Sequence, residues 1–153
     1  MATSYSAIVN PWASQAGNGL MDASPRDYAD IAYDYVYDVT LNPSALAAGA
    51  YILQDQQPLD NDADFVWRGI GINYYTGAFA VRFGDSTSYW LQSARIYYLN
   101  IINSAASPYA IWPEIILPAG GRIMIDIQDQ SGASNPLEIV FRGCKRFRIP
   151  QGS

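Results

Sequence analysis

The stretch "PEIILPAGGRIMIDI", residues 113–127, predicts two strands separated by a turn. It begins with an apolar run, and near its end Ile123, Ile125 and Ile127 alternate with neighbours that are less apolar or charged. Such alternation places the isoleucines on one face of a strand, and the Pro-Ala-Gly-Gly segment contains residues that reverse a chain. The stretch therefore favours strands that bury one face against another part of the protein.

The same pattern recurs at short spacing along the chain. A helical turn at most precedes the first strand, and Gly, Pro, Asn, Asp and Ser cluster between the segments. Many short strands without a long helix are typical of an antiparallel β-sandwich, and eight of them predict an eight-stranded jelly roll. The predicted strands are 33–41, 50–56, 64–72, 79–83, 93–102, 113–117, 121–129 and 137–148.

The first 24 residues show neither a strand period nor a helix period. They contain Trp12 and an Ile8-Val9 pair, which a disordered tail normally lacks. We therefore predict an extended N-terminal arm at 1–24 that binds its own domain or a neighbouring subunit, followed by the β-sandwich domain at 25–153.

Several strands have one face fit for a hydrophobic core. The alternating sets are Phe65 and Trp67; Phe79, Val81 and Phe83; and Leu137, Ile139 and Phe141, continued by Phe147 and Ile149. Gly143 falls on this inward face of the last strand, which predicts a bulge or close packing there.

The composition argues against an enzyme. The chain has no histidine, which is the usual general base and the commonest metal ligand, and Cys144 is its only cysteine. Catalytic triads that contain histidine and Cys/His zinc sites are therefore excluded, and no phosphate-binding or nucleophile-elbow motif occurs. We expect no enzymatic activity and no cofactor.

The net charge of −5 makes nucleic acid an unfavourable partner. The charge is uneven, −8 over residues 1–67 and +3 over residues 68–153, which favours contact between copies or a basic neighbour. No signal peptide or membrane-spanning run is apparent, so we expect a soluble protein made in the cytoplasm with no membrane partner.

Twelve tyrosines, four tryptophans and a single lysine resemble the composition of a protein interface, although β proteins are rich in aromatic residues anyway. The candidate interface residues are Trp12, Tyr33, Tyr35, Arg146 and Arg148. The last two belong to "RGCKRFR", residues 142–148, where arginines could pair with carboxylates of the same or another chain. The basic neighbours of Cys144 could lower its thiol pKa, but a passive thiol is favoured because no partner base is present.

The segment "DNDAD" places Asp60, Asp62 and Asp64 at alternate positions, where carboxylates can converge on a hard cation. A helix-loop-helix calcium site also needs Gly and Glu at positions that Phe65 and Gly71 occupy here. A solvated acidic turn is the favoured interpretation, and no metal is expected.

Three segments together carry a resemblance to a known group of proteins. "FVWRGIGI" (65–72), "PEIILPAGGRIMIDIQDQ" (113–130) and "NPLEIVFRGCKRFRIP" (135–150) resemble the small jelly-roll decoration or cement proteins of tailed bacteriophages, over about residues 48–149. The resemblance implies a structural protein on the capsid surface of the virion that binds the major capsid protein and stabilises the shell, commonly as a dimer or trimer. The acidic stretch 22–41 has no counterpart in that resemblance.

Two other functions stay open at this point. The chain could be a phage tail, baseplate or adaptor component. It could also be a carbohydrate-binding jelly roll that stacks a sugar on Trp67, Trp90 or Trp112.

Overall fold

A computed structural model of the chain describes residues 27–43, 46–87, 89–101 and 108–150. The predicted arm at 1–24, its Trp12 and the boundary at residue 25 lie outside these residues. The chain divides into two compact units, 30–147 and 1–29 together with 148–153. In the second unit, the backbone N–H of Ile149 donates to the carbonyl oxygen of Asp27 over 2.7 Å.

The described chain forms eight strands in two antiparallel sheets, and every predicted segment overlaps one of them. The strands are β1 (Tyr28–Leu41), β2 (Ile52–Pro58), β3 (Asp64–Tyr75), β4 (Phe79–Gly84), β5 (Ile96–Tyr97), β6 (Tyr109–Leu117), β7 (Arg122–Asp129) and β8 (Asn135–Arg148). Sheet 1 has the order β1-β8-β3-β6 and sheet 2 the order β2-β7-β4-β5.

Consecutive strands change sheets at every connection except β4 to β5, and this order is that of a jelly roll. The two strands of residues 113–127 therefore do not pair with each other. β6 pairs with β3 in sheet 1, whereas β7 pairs with β2 and β4 in sheet 2. The turn between them carries the chain from one sheet to the other, with Gly120 at a φ of 71° that favours glycine.

The predicted boundaries differ from the observed ones by four or more residues at three strands. β1 begins at Tyr28, so the prediction of a helical turn before residue 33 is wrong for residues 28–32, which belong to the strand. β5 has two residues and is followed by a short 3₁₀ helix, Tyr98–Asn100, where a longer strand was predicted. β6 begins four residues earlier than predicted. Alternation located the strands, but neighbouring chain segments determine where pairing ends.

The core lies between the sheets and contains the predicted aromatic and aliphatic side chains. Trp67 of β3, Phe83 of β4 and Phe141 of β8 form an aromatic triad in which every pair meets edge to face, with ring centroids 5.5–5.8 Å apart. The triad joins sheet 1 to sheet 2, and each of its members is almost fully buried. The Trp67 Nε1–H donates to the carbonyl oxygen of Gly69 over 2.9 Å, so burial leaves no indole donor unsatisfied.

The end of β8 departs from the predicted alternation. Phe147, next to the last residue of the strand, is only partly buried. Ile149 is exposed because it lies beyond the end of the strand at Arg148. Gly143 confirms the prediction of close packing. It pairs with Trp67, and a Cβ atom there would overlap the carbonyl oxygen of Val66.

We predict that Gly143→Ala lowers the free energy of unfolding by about 1–3 kcal/mol, because the added methyl group is forced against backbone that cannot move away. Urea denaturation followed by tryptophan fluorescence measures the change. Gly69→Ala in β3 is the comparison variant. Its Cβ would lie 3.1 Å from the Tyr109 carbonyl oxygen, a milder overlap with backbone than at Gly143, so we expect a smaller loss. Equal losses in the two variants would contradict the explanation.

Candidate functional site

The outer face of sheet 1 carries a network of ion pairs that crosses all four of its strands. Arg146 of β8 binds Asp30 of β1 through two hydrogen bonds of 2.8 Å. Arg68 of β3 binds Glu114 of β6 over 2.8 Å and reaches Asp30 over 3.4 Å. These four residues are called the sheet 1 network below. Because each arginine contacts acids from two strands, the network holds the four strands in one arrangement.

Irregular pairing places Arg68 in this network. Trp67 pairs with Ile115 and Gly69 pairs with Ala110, so one residue of β3 lies opposite the four residues 111–114 of β6. The extra residues leave the regular ladder, which is the effect of a β-bulge. They carry the Glu114 carboxylate to the outer face, where it accepts the hydrogen bond of Arg68.

Two ionisable groups on this face have shifted pKa values. The hydrogen bonds from Arg146 lower the pKa of Asp30, more than burial raises it. Burial raises the pKa of the Cys144 thiol, which is 2% exposed on this face. A raised pKa leaves the thiol protonated at neutral pH, so the passive interpretation of Cys144 is supported.

The outer edge of sheet 1 exposes large apolar side chains on β6. Trp112 is 66% exposed and Ile116 is 54% exposed, with Glu114 of the network between them in sequence. Ile116 pairs with Val66 of β3, which is fully buried. We call Trp112 and Ile116 the β6 edge patch. Ile116 lies in the paired part of β6, and Trp112 lies among the residues outside the regular ladder. Tryptophan is among the side chains that contribute most binding energy at interfaces.

Part of the outer face of sheet 2, over β4 and β7, is covered by the same chain. Asp126 of β7 is fully buried on this face and binds Arg82 over 2.7 Å and Arg95 over 2.9 Å. The Arg82 guanidinium lies 4.1 Å from the ring centroid of Trp90, which also bridges to Gly84. Trp90 and Arg95 therefore lie against sheet 2, whereas the β6 edge patch on sheet 1 is exposed.

The acidic turn between β2 and β3 binds an ammonium group from the same chain. Lys145 Nζ lies 2.7 Å from Asp60 and 2.9 Å from Asp62, and 4.2 Å from the ring centroid of Tyr33. These two carboxylates raise the pKa of Lys145. Asp64 instead accepts the backbone N–H of Ala119 over 3.0 Å.

The three aspartates considered for a cation therefore do not converge. Within the described residues, no three His, Cys, Asp or Glu side chains are grouped so that they could hold a metal ion. The lysine that binds Asp60 and Asp62 is 83 or more positions away in sequence, so spacing within the acidic turn could not have predicted it.

The predicted interface residues that the structure describes have different environments. Tyr33 is partly exposed, but its ring lies beneath Lys145, and its hydroxyl donates to Asp60 over 3.2 Å. Tyr35 is 6% exposed, and its hydroxyl accepts the backbone N–H of Asp60 over 2.9 Å, so it offers a partner almost no surface. Arg146 belongs to the sheet 1 network, and Arg148 is exposed. For Arg146 the intramolecular pairing that the sequence left open is the one observed.

The β6 edge patch was not among the predicted interface residues. One signal pointed to it: Pro113 cannot donate to a strand ladder, so a strand that contains it is expected at a sheet edge. The three tryptophans considered for sugar stacking also differ in exposure. Trp67 is in the core and Trp90 is partly buried beside Arg82, which leaves Trp112 as the exposed ring.

No protein-family model, curated protein or solved structure matches the chain. No helix among the described residues has the length and apolar character needed to span a membrane.

We predict that Asp126→Ala lowers the free energy of unfolding by about 3 kcal/mol, because it leaves two partly buried guanidinium groups without their shared carboxylate. Chemical denaturation at neutral pH measures the change. Asp34→Ala, which removes an exposed carboxylate from β1, should change stability by no more than about 0.5 kcal/mol. A loss below about 1 kcal/mol for Asp126→Ala would contradict this role.

A second prediction of this subsection concerns the stability of the protein at acidic pH. Because the pKa of Asp30 is below its ordinary value of 3.8, its contribution to stability is complete above that value and is lost as the pH falls through the lower folded pKa. Asp30→Asn should therefore show a shallower decrease in unfolding free energy than the parent protein between about pH 5 and pH 2. Denaturation curves across this range measure the slopes. Parallel slopes for the two proteins would show that Asp30 does not contribute.

Proposed function

We propose that this chain is a structural protein of a bacteriophage virion, a decoration or cement protein that binds the major capsid protein and stabilises the capsid shell. The β6 edge patch is the observation that carries the proposal. Trp112 and Ile116 form an exposed apolar surface at the edge of a sheet whose outer face is held in place by the sheet 1 network. A rigid apolar patch binds with a small entropic cost, because little of it must be ordered on binding.

The jelly-roll fold supports the proposal only by analogy. Viral capsid domains and lectins both use this fold, so the fold alone does not select a function. The resemblance of segments 65–72, 113–130 and 135–150 to phage decoration proteins favours the virion. In this proposal the protein is made in the host cytoplasm and resides on the capsid surface.

The proposed mechanism is the burial of the β6 edge patch at a joint between capsid subunits. Burying one large apolar side chain contributes about 1.5–3 kcal/mol before the costs of association, and many copies on one shell add such contributions. The exposed Trp112 is the side chain that we expect to contribute most, since tryptophan dominates binding energies at interfaces.

A dimer or trimer on the shell is part of the proposal, but the uneven charge of the two chain halves no longer supports it by itself. Asp30, Asp60 and Asp62 of the acidic half already pair with Arg146 and Lys145 of the basic half within one chain. Sedimentation equilibrium of the purified protein tests the oligomeric state directly.

We predict that the protein coats tail-free, expanded capsids of the virus that encodes it, with a constant number of copies per major capsid protein. Trp112→Ala should weaken this binding by about 10-fold to 100-fold, because it removes the largest side chain of the patch. Cosedimentation with capsids over a range of protein concentrations measures the affinity.

Val36→Ala is the matched control, since Val36 is also an exposed apolar residue of sheet 1 but lies on β1 at the opposite edge. Its affinity should equal that of the parent protein, and circular dichroism checks that both variants are folded. Binding to tails and not to capsids would instead assign the protein to a tail, baseplate or adaptor position. Absence from purified particles would overturn the proposal.

The exposure of Trp112 also favours a second candidate, a carbohydrate-binding module. A ring exposed on one face can stack on a sugar, whereas Trp67 is excluded by its burial. A glycan array separates the two functions. Glycan binding by a monomer that Trp112→Ala abolishes, with no binding to capsids, would favour the carbohydrate-binding function.

A further inference from the structure

Arg142 of β8 has a guanidinium group for which the described residues supply no partner. Its Nε atom is buried, yet no acceptor lies within hydrogen-bonding distance of it. No carboxylate of the described residues forms an ion pair with Arg142, whereas Arg68 and Arg146 of the same sheet each contact two carboxylates. A buried donor without an acceptor costs free energy, and such groups are rare in folded proteins. The burial of this nitrogen is therefore not compensated within the described part of the chain.

The neighbours of Arg142 on the outer face of sheet 1 are small or apolar on the side of β3 and β6. Arg142 pairs with Gly69 of β3, and Gly69 pairs with Ala110 of β6, so this row holds no second long side chain on those strands. Along β8, the residues before and after it on the same face are Val140 and Cys144, which are both buried. An ion pair formed among such neighbours is weakened less by water and salt than one on a polar surface.

Arg142 lies near the β6 edge patch on the same face of the sheet. Cys144 pairs with Val66 and Val66 pairs with Ile116, so one row of residues joins β8 to the patch. With strands about 4.8 Å apart and residues about 3.4 Å apart along each strand, the backbone of Arg142 lies about 12 Å from that of Ile116. A standard interface covers about 800 Å2 on each partner, which is a circle of about 16 Å radius. A partner of ordinary size that binds the patch therefore also reaches Arg142.

The chemistry of the site favours a carboxylate as its ligand. A guanidinium presents parallel N–H donors that match the two oxygens of a carboxylate, and the two single charges cancel. A phosphate group carries up to two negative charges, which one arginine does not balance, and the net charge of −5 on the chain opposes a polyanion. An aspartate or glutamate side chain is the group that fits both the shape and the charge of this site.

We infer that Arg142 binds an aspartate or glutamate side chain of the major capsid protein, beside the contact made by the β6 edge patch. The inference rests on the proposed function for the identity of the partner, but not for the chemistry of the site. The Arg142 side chain is partly exposed, so a carboxylate meets it from outside, and a turn of the guanidinium gives the Nε–H an acceptor. The ion pair would fix the orientation of a partner that the apolar patch binds without directional preference.

The first experiment tests whether the guanidinium of Arg142 has a role within its own chain. Arg142→Met keeps a long side chain without the charge, so its free energy of unfolding should equal or exceed that of the parent protein. Arg146→Met is the comparison variant and should lower stability, because it breaks the two hydrogen bonds to Asp30. Urea denaturation measures both changes. A loss for Arg142→Met as large as that for Arg146→Met would show that the guanidinium acts within the chain and would overturn the inference.

The second experiment tests the carboxylate site without capsids. N-acetyl-glutamate methylamide is titrated into isotope-labelled protein while NMR follows the Arg142 Nε–H signal, and N-acetyl-glutamine methylamide is the neutral ligand of nearly the same shape. We expect the glutamate derivative to shift the Arg142 signal and the glutamine derivative to shift it much less. The Nε–H signal of Arg122, an exposed arginine of sheet 2, is the control for nonspecific attraction. Equal shifts at the two arginines, or no shift at Arg142, would overturn the inference.

Inorganic phosphate, titrated in the same way at the same ionic strength, tests the choice of anion. We expect it to shift the Arg142 signal less than the glutamate derivative does. A stronger response to phosphate would assign the site to a phosphate ligand, and the inference of a carboxylate partner would fail.

The third experiment uses capsids and separates this inference from the proposed function. If the parent protein coats capsids, Arg142→Met should bind them about 10-fold more weakly, because one hydrogen-bonded contact between charged groups is lost. Its binding should also depend less steeply on salt concentration than that of the parent. Arg122→Met removes the same charge from sheet 2 and should bind as the parent protein does.

The outcomes of the capsid experiment distinguish the two proposals. Equal capsid binding by the parent and Arg142→Met would overturn the inference about Arg142 and leave the proposed function standing. If the parent protein ignores capsids but the Arg142 signal still responds to the glutamate derivative, the proposed function fails and the carboxylate site remains.

Discussion

The edge-to-face packing of Trp67, Phe83 and Phe141 is the interaction on which the sandwich depends. It joins β3 and β8 of sheet 1 to β4 of sheet 2 at fully buried positions. Two sheets that did not meet there would expose a continuous aromatic surface to water, at a cost of several kcal/mol for each side chain. In the regular parts of the strands, the position of each outward-facing residue follows from this contact, because alternation along a strand fixes the outer face once the inner face is buried.

The charged residues complete the same structure from outside. Residues of the acidic first half meet residues of the basic second half within one chain, in the sheet 1 network and at Lys145. On sheet 2 the buried Asp126 is satisfied by Arg82 and Arg95, and Arg82 also contacts the ring of Trp90. Ion pairs within one chain thus involve many of the charged residues that the sequence suggested for contacts between molecules.

The outer face of sheet 1 therefore combines apolar and charged side chains. It has an apolar edge at Trp112 and Ile116 and a charged centre held by paired arginines. Apolar anchors flanked by charged groups are the usual arrangement of a protein-binding surface, in which the anchors give affinity and the charges give register. This arrangement is the reason for proposing a partner that is a large protein surface.

Strand periodicity alone determined the fold class and the inward-facing residues of this protein. The isoleucines of β7, the aromatic residues of β3 and β4, and the close packing at Gly143 were all predictable, because a period of two assigns side chains to faces before any partner is known. The absence of histidine excluded whole classes of chemistry in the same way.

Only the tertiary structure decided which charges meet and which aromatic residues are exposed. Asp30 and Arg146 are 116 positions apart, and Lys145 binds an acidic turn more than 80 positions before it, so no local spacing relates them. Tyr35 and Trp112 are both suited to an interface by residue type. The fold buries Tyr35 in the core and exposes Trp112 at the bulge of β6. These outcomes depend on strand order and register, which are set by packing between distant segments and not by the composition of any one of them.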